Sequence, residues 1–207
     1  MYNHLNNILN SPKLEQNFYI RDVLEVAKEL LGKFFIHKMG QLIFAGKIVE
    51  VEAYDTDDEA SHSFNGISDR NRVMFENGGL LYVYFIYGVH YCCNVVTGKD
   101  DHGAAVLIRA IEPLNHLELL AKKRFNKITM NEKEKINLTN GPAKICQALQ
   151  IGKSDNGTSL IADDIYILDT PKIKEDQIIK TTRIGISRSK ELPWRFYIKD
   201  NKFVSQK

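Results

Sequence analysis

From Arg21 onward the apolar residues Val23, Leu24, Ala27, Leu30 and Leu31 recur at helical spacing, and Gly32 follows where a left-handed C-cap costs little. The spacing predicts an amphipathic helix. The period then falls towards two. Residues 34–36 read as a short strand, Gly40 as a turn, and residues 42–51 as a longer strand with Val49 and Val51 on one side and Glu50 and Glu52 on the other. Two carboxylates therefore project together from one strand end. Residues 53–79 are poor in apolar side chains and rich in Asp, Ser, Asn and Gly, which marks a long irregular excursion.

Residues 80–96 are the most distinctive stretch. Two runs of aromatic and β-branched residues flank Tyr87-Gly88, and the glycine removes the steric cost of a sharp corner, so the pattern predicts a β-hairpin with an aromatic beside its tip. Tyr82, Tyr84 and Ile86 share one face of the first strand, and Val83, Phe85 and Tyr87 the other. Neither face is clearly the apolar one. That suits a strand buried on both sides, or one that packs on one face and offers a stacking surface on the other.

Further on, residues 104–111 read as a buried strand in which Arg109 must be partnered or reach a polar cleft. Pro113 is expected to open a helix to about residue 124, with Leu114, Leu117, Leu120 and Ala121 on one face. Residues 126–138 read as a mobile polar linker. Another helix is expected from residues 140–144 to about residue 149, with Pro142 in its first turn and Gly152 beyond its end. Its free N–H groups and Lys144 make a candidate phosphate contact, or merely a capped helix. Residues 165–168 and 182–187 read as short strands, and residues 194–203 as the segment that closes the sheet.

Composition narrows the class. A chain of 207 residues, 43% hydrophobic and 26% charged, suits one globular domain. Residues 1–17 are polar and read as a flexible N-terminal arm. No apolar run approaches the ~20 residues needed to span a bilayer, so a cytoplasmic protein without a membrane partner is expected. Cys92, Cys93 and Cys146 match neither a disulfide framework nor a metal-ligand spacing, which predicts reduced buried thiols. A net charge of +2 neither announces nor excludes a nucleic-acid partner, because phosphate neutralisation depends on a local patch.

Candidate chemistry gathers around the end of the second strand. Glu52 ends it, Tyr54 follows two residues on, and His62 lies in the loop beyond. A carboxylate beside an aromatic and a histidine can act as general base in a pocket for a flat ring. Surface residues at a strand end would give the same spacing. No metal, nucleotide or redox-cofactor motif is present, so no cofactor is expected, and an enzyme built this way would hydrolyse with side chains and water.

Longer ordered blocks carry a resemblance. Gly46 to Tyr54, Asp58-Glu59-Ala60-Ser61-His62-Ser63, Arg70 to Phe75, the hairpin, Val106 to Pro113, Asn140 to Leu149, Arg183-Ile184-Gly185-Ile186 and Trp194 to Ile198 together resemble the 3-methyladenine (alkyladenine, N-methylpurine) DNA glycosylase family over nearly all of the chain after residue 17. The resemblance implies a single mixed α/β (α+β) domain, with a largely antiparallel curved sheet, flanking helices and a protruding β-hairpin that enters DNA. It implies a monomer acting on double-stranded DNA containing damaged purines, associated with the nucleoid in a bacterium. Glu52 matches the family's general base, Tyr54, His62 and Tyr84 its base-stacking pocket, and Tyr87 its intercalating residue. Asn94 matches the position that crowds the amine of normal guanine, and Arg109 a residue lining the same site. The implied reaction is monofunctional base excision of alkylated or deaminated purines, leaving an abasic site. Two other readings are a lesion-binding module without turnover and a hydrolase of free nucleosides. Glu52 argues against the first, since a binder has no need of an ionised carboxylate beside the DNA backbone, where like charges repel, and an exposed aromatic wedge argues against the second.

Overall fold

The computed structural model describes residues 2–205. Among these residues an open nine-stranded sheet, antiparallel at every pairing, forms the single mixed α/β domain. Its strands are β1 (Phe34–Met39), β2 (Leu42–Tyr54), β3 (Leu80–Ile86), β4 (His90–Thr97), β5 (Ala104–Pro113), β6 (Thr158–Ser159), β7 (Ile165–Leu168), β8 (Ile178–Thr181) and β9 (Arg195–Ile198). The order is β6-β3-β4-β5-β2-β1-β7, with β9 joining β2 and β8 joining β9.

The spine is β2, 13 residues long. Along one edge it pairs with β1 through residues 42–47 and with β9 through residues 50–52, and along the other with β5. The ladder to β5 is irregular. Ile48 faces Ile111, Glu50 faces Ala110 and Val51 faces Ile108, so the pairing skips Val49 on one strand and Arg109 on the other. These compensating bulges leave the flanking register intact. Ile48 and Val51, three residues apart, consequently both join the main core, and Arg109 is aimed to the opposite face.

Six helices complete the described residues: α1 (Tyr2–Leu9), α2 (Gln16–Tyr19), α3 (Val23–Leu30), α4 (Leu117–Phe125), α5 (Glu132–Asn137) and α6 (Pro142–Leu149). Asp22 caps α3, its carboxylate accepting from the backbone N–H groups of Leu24 and Glu25. Buried residues of α3, α4 and α6 cover one face of the sheet together with Leu81, Val83, Val95, Val106 and Ile108. On the other face a smaller cluster of Ile8, Phe34, Ile36, Ala45, Tyr166 and Leu168 fills only the β1–β7 end. At the β3–β5 end of that face Met74, Tyr82, Val96 and Ala105 form a third cluster, which borders the cleft described below. No helix among the described residues is long and apolar enough to cross a membrane.

Several local readings change. Residues 1–17, expected as a flexible arm, carry α1 and the start of α2 in the described part, and Met1 lies outside it. Leu14 is buried, its N–H donates to the Ile167 carbonyl, and Asp169 N–H donates to that of Pro12. Pro113 ends β5 and opens no helix. Leu114 N–H still bonds the Ala45 carbonyl, and the Asn115 amide extends the ladder by accepting from Ala45 N–H and donating to the Ile43 carbonyl, which holds the chain extended up to His116. Helix α4 starts only after His116 turns left-handed at φ 54°. The expected linker 126–138 contains α5, closed by a capping box between Asn131 and Glu134, and Leu138 is fully buried. The strand expected at 182–187 is instead β8, four residues earlier, while β9 occupies only part of 194–203. Helix α6 and strand β7 fall where expected, and Cys92, Cys93 and Cys146 are free and buried.

A buried Leu14 should make the N-terminal segment part of the cooperative unit. Leu14→Ala is expected to cost about 2–3 kcal/mol in urea unfolding at unchanged slope. A loss below about 0.5 kcal/mol would mean that the segment does not share in the core.

Candidate active site

On the face left open at the β3–β5 end lies a cleft of about 710 Å³. Its floor comes from alternation along β3. Leu81 and Val83 point into the core, whereas Tyr82, Tyr84 and Ile86 line the cleft, so the strand packs on one face and offers aromatic rings on the other. The Tyr82 and Tyr84 rings stack at 5.5 Å and 29°. Across the hairpin, Asn94 faces Tyr82 and Cys92 faces Tyr84, and the Asn94 amide donates to the Tyr82 carbonyl at 3.1 Å.

The hairpin tip stands clear of the body. Tyr87 and Gly88 are both left-handed, φ 53° and 69°, the pattern of a primed turn. Glycine adopts this freely, but a tyrosine there is uncommon and costs energy. Tyr87 is 79% exposed, with Val89 and Phe85 also exposed nearby, so the turn displays apolar surface that packing does not explain.

His62 sits at the cleft rim with its ring edge-on to Tyr84 at 4.5 Å and its Nδ1 3.0 Å from the Tyr82 hydroxyl. The walls crowd the ring even though part of it is exposed. This desolvation, with the Arg70 cation beside it, pushes its pKa down to about 4, so the imidazole is neutral at physiological pH. Burial holds the Tyr82 phenol protonated, its pKa pushed up to about 12. The excursion bearing His62 is rigidly closed. Asn71 accepts from the Ser68 N–H and hydroxyl and donates to the carbonyls of His62 and Gly66. Arg70 lies over the Tyr84 ring, 5.6 Å from its centroid, and donates to the Phe85 carbonyl at 3.4 Å, tying loop to hairpin.

Glu52 lies one layer behind the cleft wall and is fully buried. Its Oε2 accepts from the Tyr54 hydroxyl at 2.9 Å and Arg109 Nη1 at 3.2 Å, and its Oε1 from Ile184 N–H at 2.7 Å. All three donor residues line the cleft. A carboxylate offers about four acceptor positions, and among the described residues three donors engage them, two on Oε2 and one on Oε1. Burial works against the Arg109 charge, but Glu52 and Glu50 outweigh it and keep the guanidinium protonated. Burial and the neighbouring Glu52 together hold the Tyr54 phenol far above its ordinary range, so it stays a hydrogen-bond donor.

Tyr54 is fixed from behind by Arg183, whose guanidinium lies 4.6 Å from the Tyr54 ring centroid and 5.3 Å from that of Trp194. Arg183 grips buried Asp58 with both terminal nitrogens, at 2.8 Å from Nη2 to Oδ1. Lys144 lines the cleft, but its ammonium is bonded to the side-chain oxygens of Asn137 and Asn140 at 2.7 Å each, so it closes the start of α6 on the preceding chain.

The structure thus brings Tyr54, His62, Tyr84, Tyr87, Asn94, Arg109 and Lys144 around one cleft, with Glu52 immediately behind it. Sequence reasoning missed Tyr82, Asn71 and the Arg183–Asp58 pair. Tyr82 carried a signal in sharing the strand face of Tyr84, and Asp58, Asn71 and Arg183 lie within the blocks that carry the resemblance without being singled out there. Among the described residues no group of His, Cys, Asp or Glu is disposed to hold a metal ion.

His62 sets a pH dependence of stability. The unfolded chain takes up its proton near the ordinary value of 6.5 and the folded one only near 4. The contribution is therefore complete above pH 6.5 and is lost as pH falls towards 4. His37, also shifted down by burial, acts in the same direction. His62→Gln should lose less unfolding midpoint than wild type between pH 7.5 and 4.5; an equal loss would contradict this titration.

A family model described as methylpurine-DNA glycosylase (MPG) matches residues 17–202. Three relatives, each named as a candidate 3-methyladenine DNA glycosylase, illustrate the similarity. The protein from Clostridium botulinum (strain Alaska E43 / Type E3) is 48% identical over 94% of this chain and 99% of its own length. Those from Carboxydothermus hydrogenoformans and Alkaliphilus oremlandii are 46% and 45% identical, each over 94% of this chain and over 99% and 100% of their own lengths.

Proposed function

Because this chain belongs to the methylpurine-DNA glycosylase family and is a DNA glycosylase, we propose that it draws an alkylated or deaminated purine out of duplex DNA and hydrolyses the N-glycosidic bond with a water activated by Glu52. The observation that carries this reading is the buried Glu52 carboxylate, held by three residues of an aromatic-walled cleft with one acceptor position unused.

The chemistry follows from the parts. Departure of the base leaves positive charge on the sugar, which a fixed carboxylate stabilises while it takes a proton from the attacking water. Neither Tyr54 nor Arg109 competes for that proton, since both are held protonated. The flipped purine stacks against Tyr84, Tyr54 and His62. A purine methylated at N3 or N7 is cationic, which favours electron-rich rings, and a neutral His62 adds no opposing charge. Deaminated purines lack that charge and need a proton on leaving, so they are the slower substrates. Asn94, fixed by the Tyr82 carbonyl, crowds the exocyclic amine of guanine.

Extraction of a base costs a few kcal/mol of stacking and pairing. Tyr87 enters the gap in the stack and recovers part of it, which accounts for an exposed aromatic in a left-handed turn. Lys144 and the start of α6 approach a flanking phosphate only if Asn137 and Asn140 release the ammonium. Every wall of the cleft comes from one chain, so a monomer suffices. With water activated by Glu52 no lysine is needed as nucleophile, so the proposed product is an abasic site on an intact strand, made in the cytoplasm, at the nucleoid if the cell is bacterial.

Two measurements test this. On methylated duplex DNA, Glu52→Gln should lower release of 3-methyladenine or 7-methylguanine by about 10²–10⁴-fold with lesion binding within a few-fold of wild type; release at nearly the wild-type rate refutes the assignment. Tyr87→Ala should slow release from duplex more than from single strands. Equal losses on both would make Tyr87 a pocket residue rather than a wedge.

A further inference from the structure

Glu50 is a second fully buried carboxylate on the same strand face as Glu52, and the reading above gives it no task. Its Oε1 accepts from Arg109 Nε at 3.1 Å, Arg195 Nε at 2.7 Å and the Ser205 hydroxyl at 2.9 Å, and its Oε2 from Ser205 N–H at 2.6 Å. Arg109 Nη2 in turn points to the Ser205 hydroxyl at 3.4 Å. The guanidinium of Arg109 is therefore held along its whole fork: Nε on Glu50, Nη1 on Glu52 and Nη2 on Ser205.

We propose that Glu50 and Ser205 are positioning residues for base release, acting through Arg109 to keep one acceptor position on Oε1 of Glu52 free to take the proton of the attacking water. This rests on Glu52 being the general base. An arginine facing a lone carboxylate settles into the two-pronged arrangement that covers both oxygens. Here Glu50 captures Nε and Ser205 engages the far nitrogen, so only Nη1 reaches Glu52, and only at Oε2. Released from those anchors, Arg109 would turn its paired N–H groups onto Glu52 and occupy the remaining position on Oε1. The segment after β9, which delivers Ser205, is thereby a structural part of the catalytic layer although it adds no wall to the cleft.

The test uses the full chain and duplex carrying 7-methylguanine, with single-turnover release and lesion-duplex binding measured separately. Ser205→Ala keeps the backbone N–H on Glu50 and removes only the hydroxyl, so it should fold as wild type. It is expected to slow release about 3- to 10-fold at unchanged binding, with Ser205→Thr restoring the rate to within about two-fold. Glu50→Gln should slow release about 10- to 100-fold with the same separation of rate from binding. Should Glu50→Gln fail to fold, the Ser205 pair decides. Ser205→Ala at wild-type rate, an equal loss of rate and binding, or failure of threonine to rescue overturns the proposal. Glu52→Gln run alongside separates the two ideas: if it is inactive while Ser205→Ala is normal, only the positioning role falls, whereas if it is active the base assignment falls first.

Discussion

Two carboxylates and two guanidinium groups, Glu50, Glu52, Arg109 and Arg195, lie buried together at the middle of the sheet. Stripping four charges of water costs several kcal/mol for each ion, and only close pairing with satisfied hydrogen bonds offsets it. The chain supplies both. Formal charges cancel within the cluster, and further donors come to Glu50 from Ser205 and to Glu52 from Tyr54 and Ile184 N–H, which leaves a single acceptor position on Glu52 Oε1 unused among the described residues. A core of apolar side chains would hold the strands together as well or better, so this cluster is a poor device for stability. Its value lies in the fixed orientation of one carboxylate.

The backbone is shaped to deliver that cluster. β2 carries both acids on one face, β9 brings Arg195 opposite Glu52, and the skipped positions Val49 and Arg109 let the β5 arginine reach between them without disturbing the register on either side. Because the pleat has period two, a single uncompensated bulge would turn every later side chain of one strand to the wrong face. Paired bulges avoid this. Leu107 keeps its place in the cleft, and Ile108 and Ile111 keep theirs in the core.

Much of this was legible because it depends on local period. The helix after Asp22, the Glu50/Glu52 strand, the two-faced hairpin and the need of Arg109 for partners all follow from spacing and side-chain type. The misreadings have physical causes. Proline suits a helix start and a strand end equally well, and the choice at Pro113 was made by Asn115 bonding to β2, some 70 residues away in sequence. The polar composition of 126–138 hid a capping box that was present as Asn131 and Glu134. Arg183 and Asp58 lie 125 residues apart, and no pattern in either neighbourhood announces that they clamp each other behind Tyr54. The roles proposed for Glu52, Tyr87 and Asn94 come from family resemblance, since spacing alone makes them ordinary strand and turn residues.

On the proposed reading, a carboxylate held rigidly behind the cleft wall is the arrangement that hydrolysis through a cationic sugar requires. The charge on the sugar exists only briefly, so a carboxylate that had to swing into place would spend its interaction energy on reorganisation. Here three donors anchored in the sheet and its loops hold Glu52 before any DNA arrives. On the same reading the mobile partner is the nucleotide, which leaves its stack, and the exposed hairpin tip supplies the replacement. Fixed charge and displaced base would then be two halves of one division of labour: the buried cluster keeps the electrostatics ready, and the apolar turn offsets the cost of bringing the substrate to it.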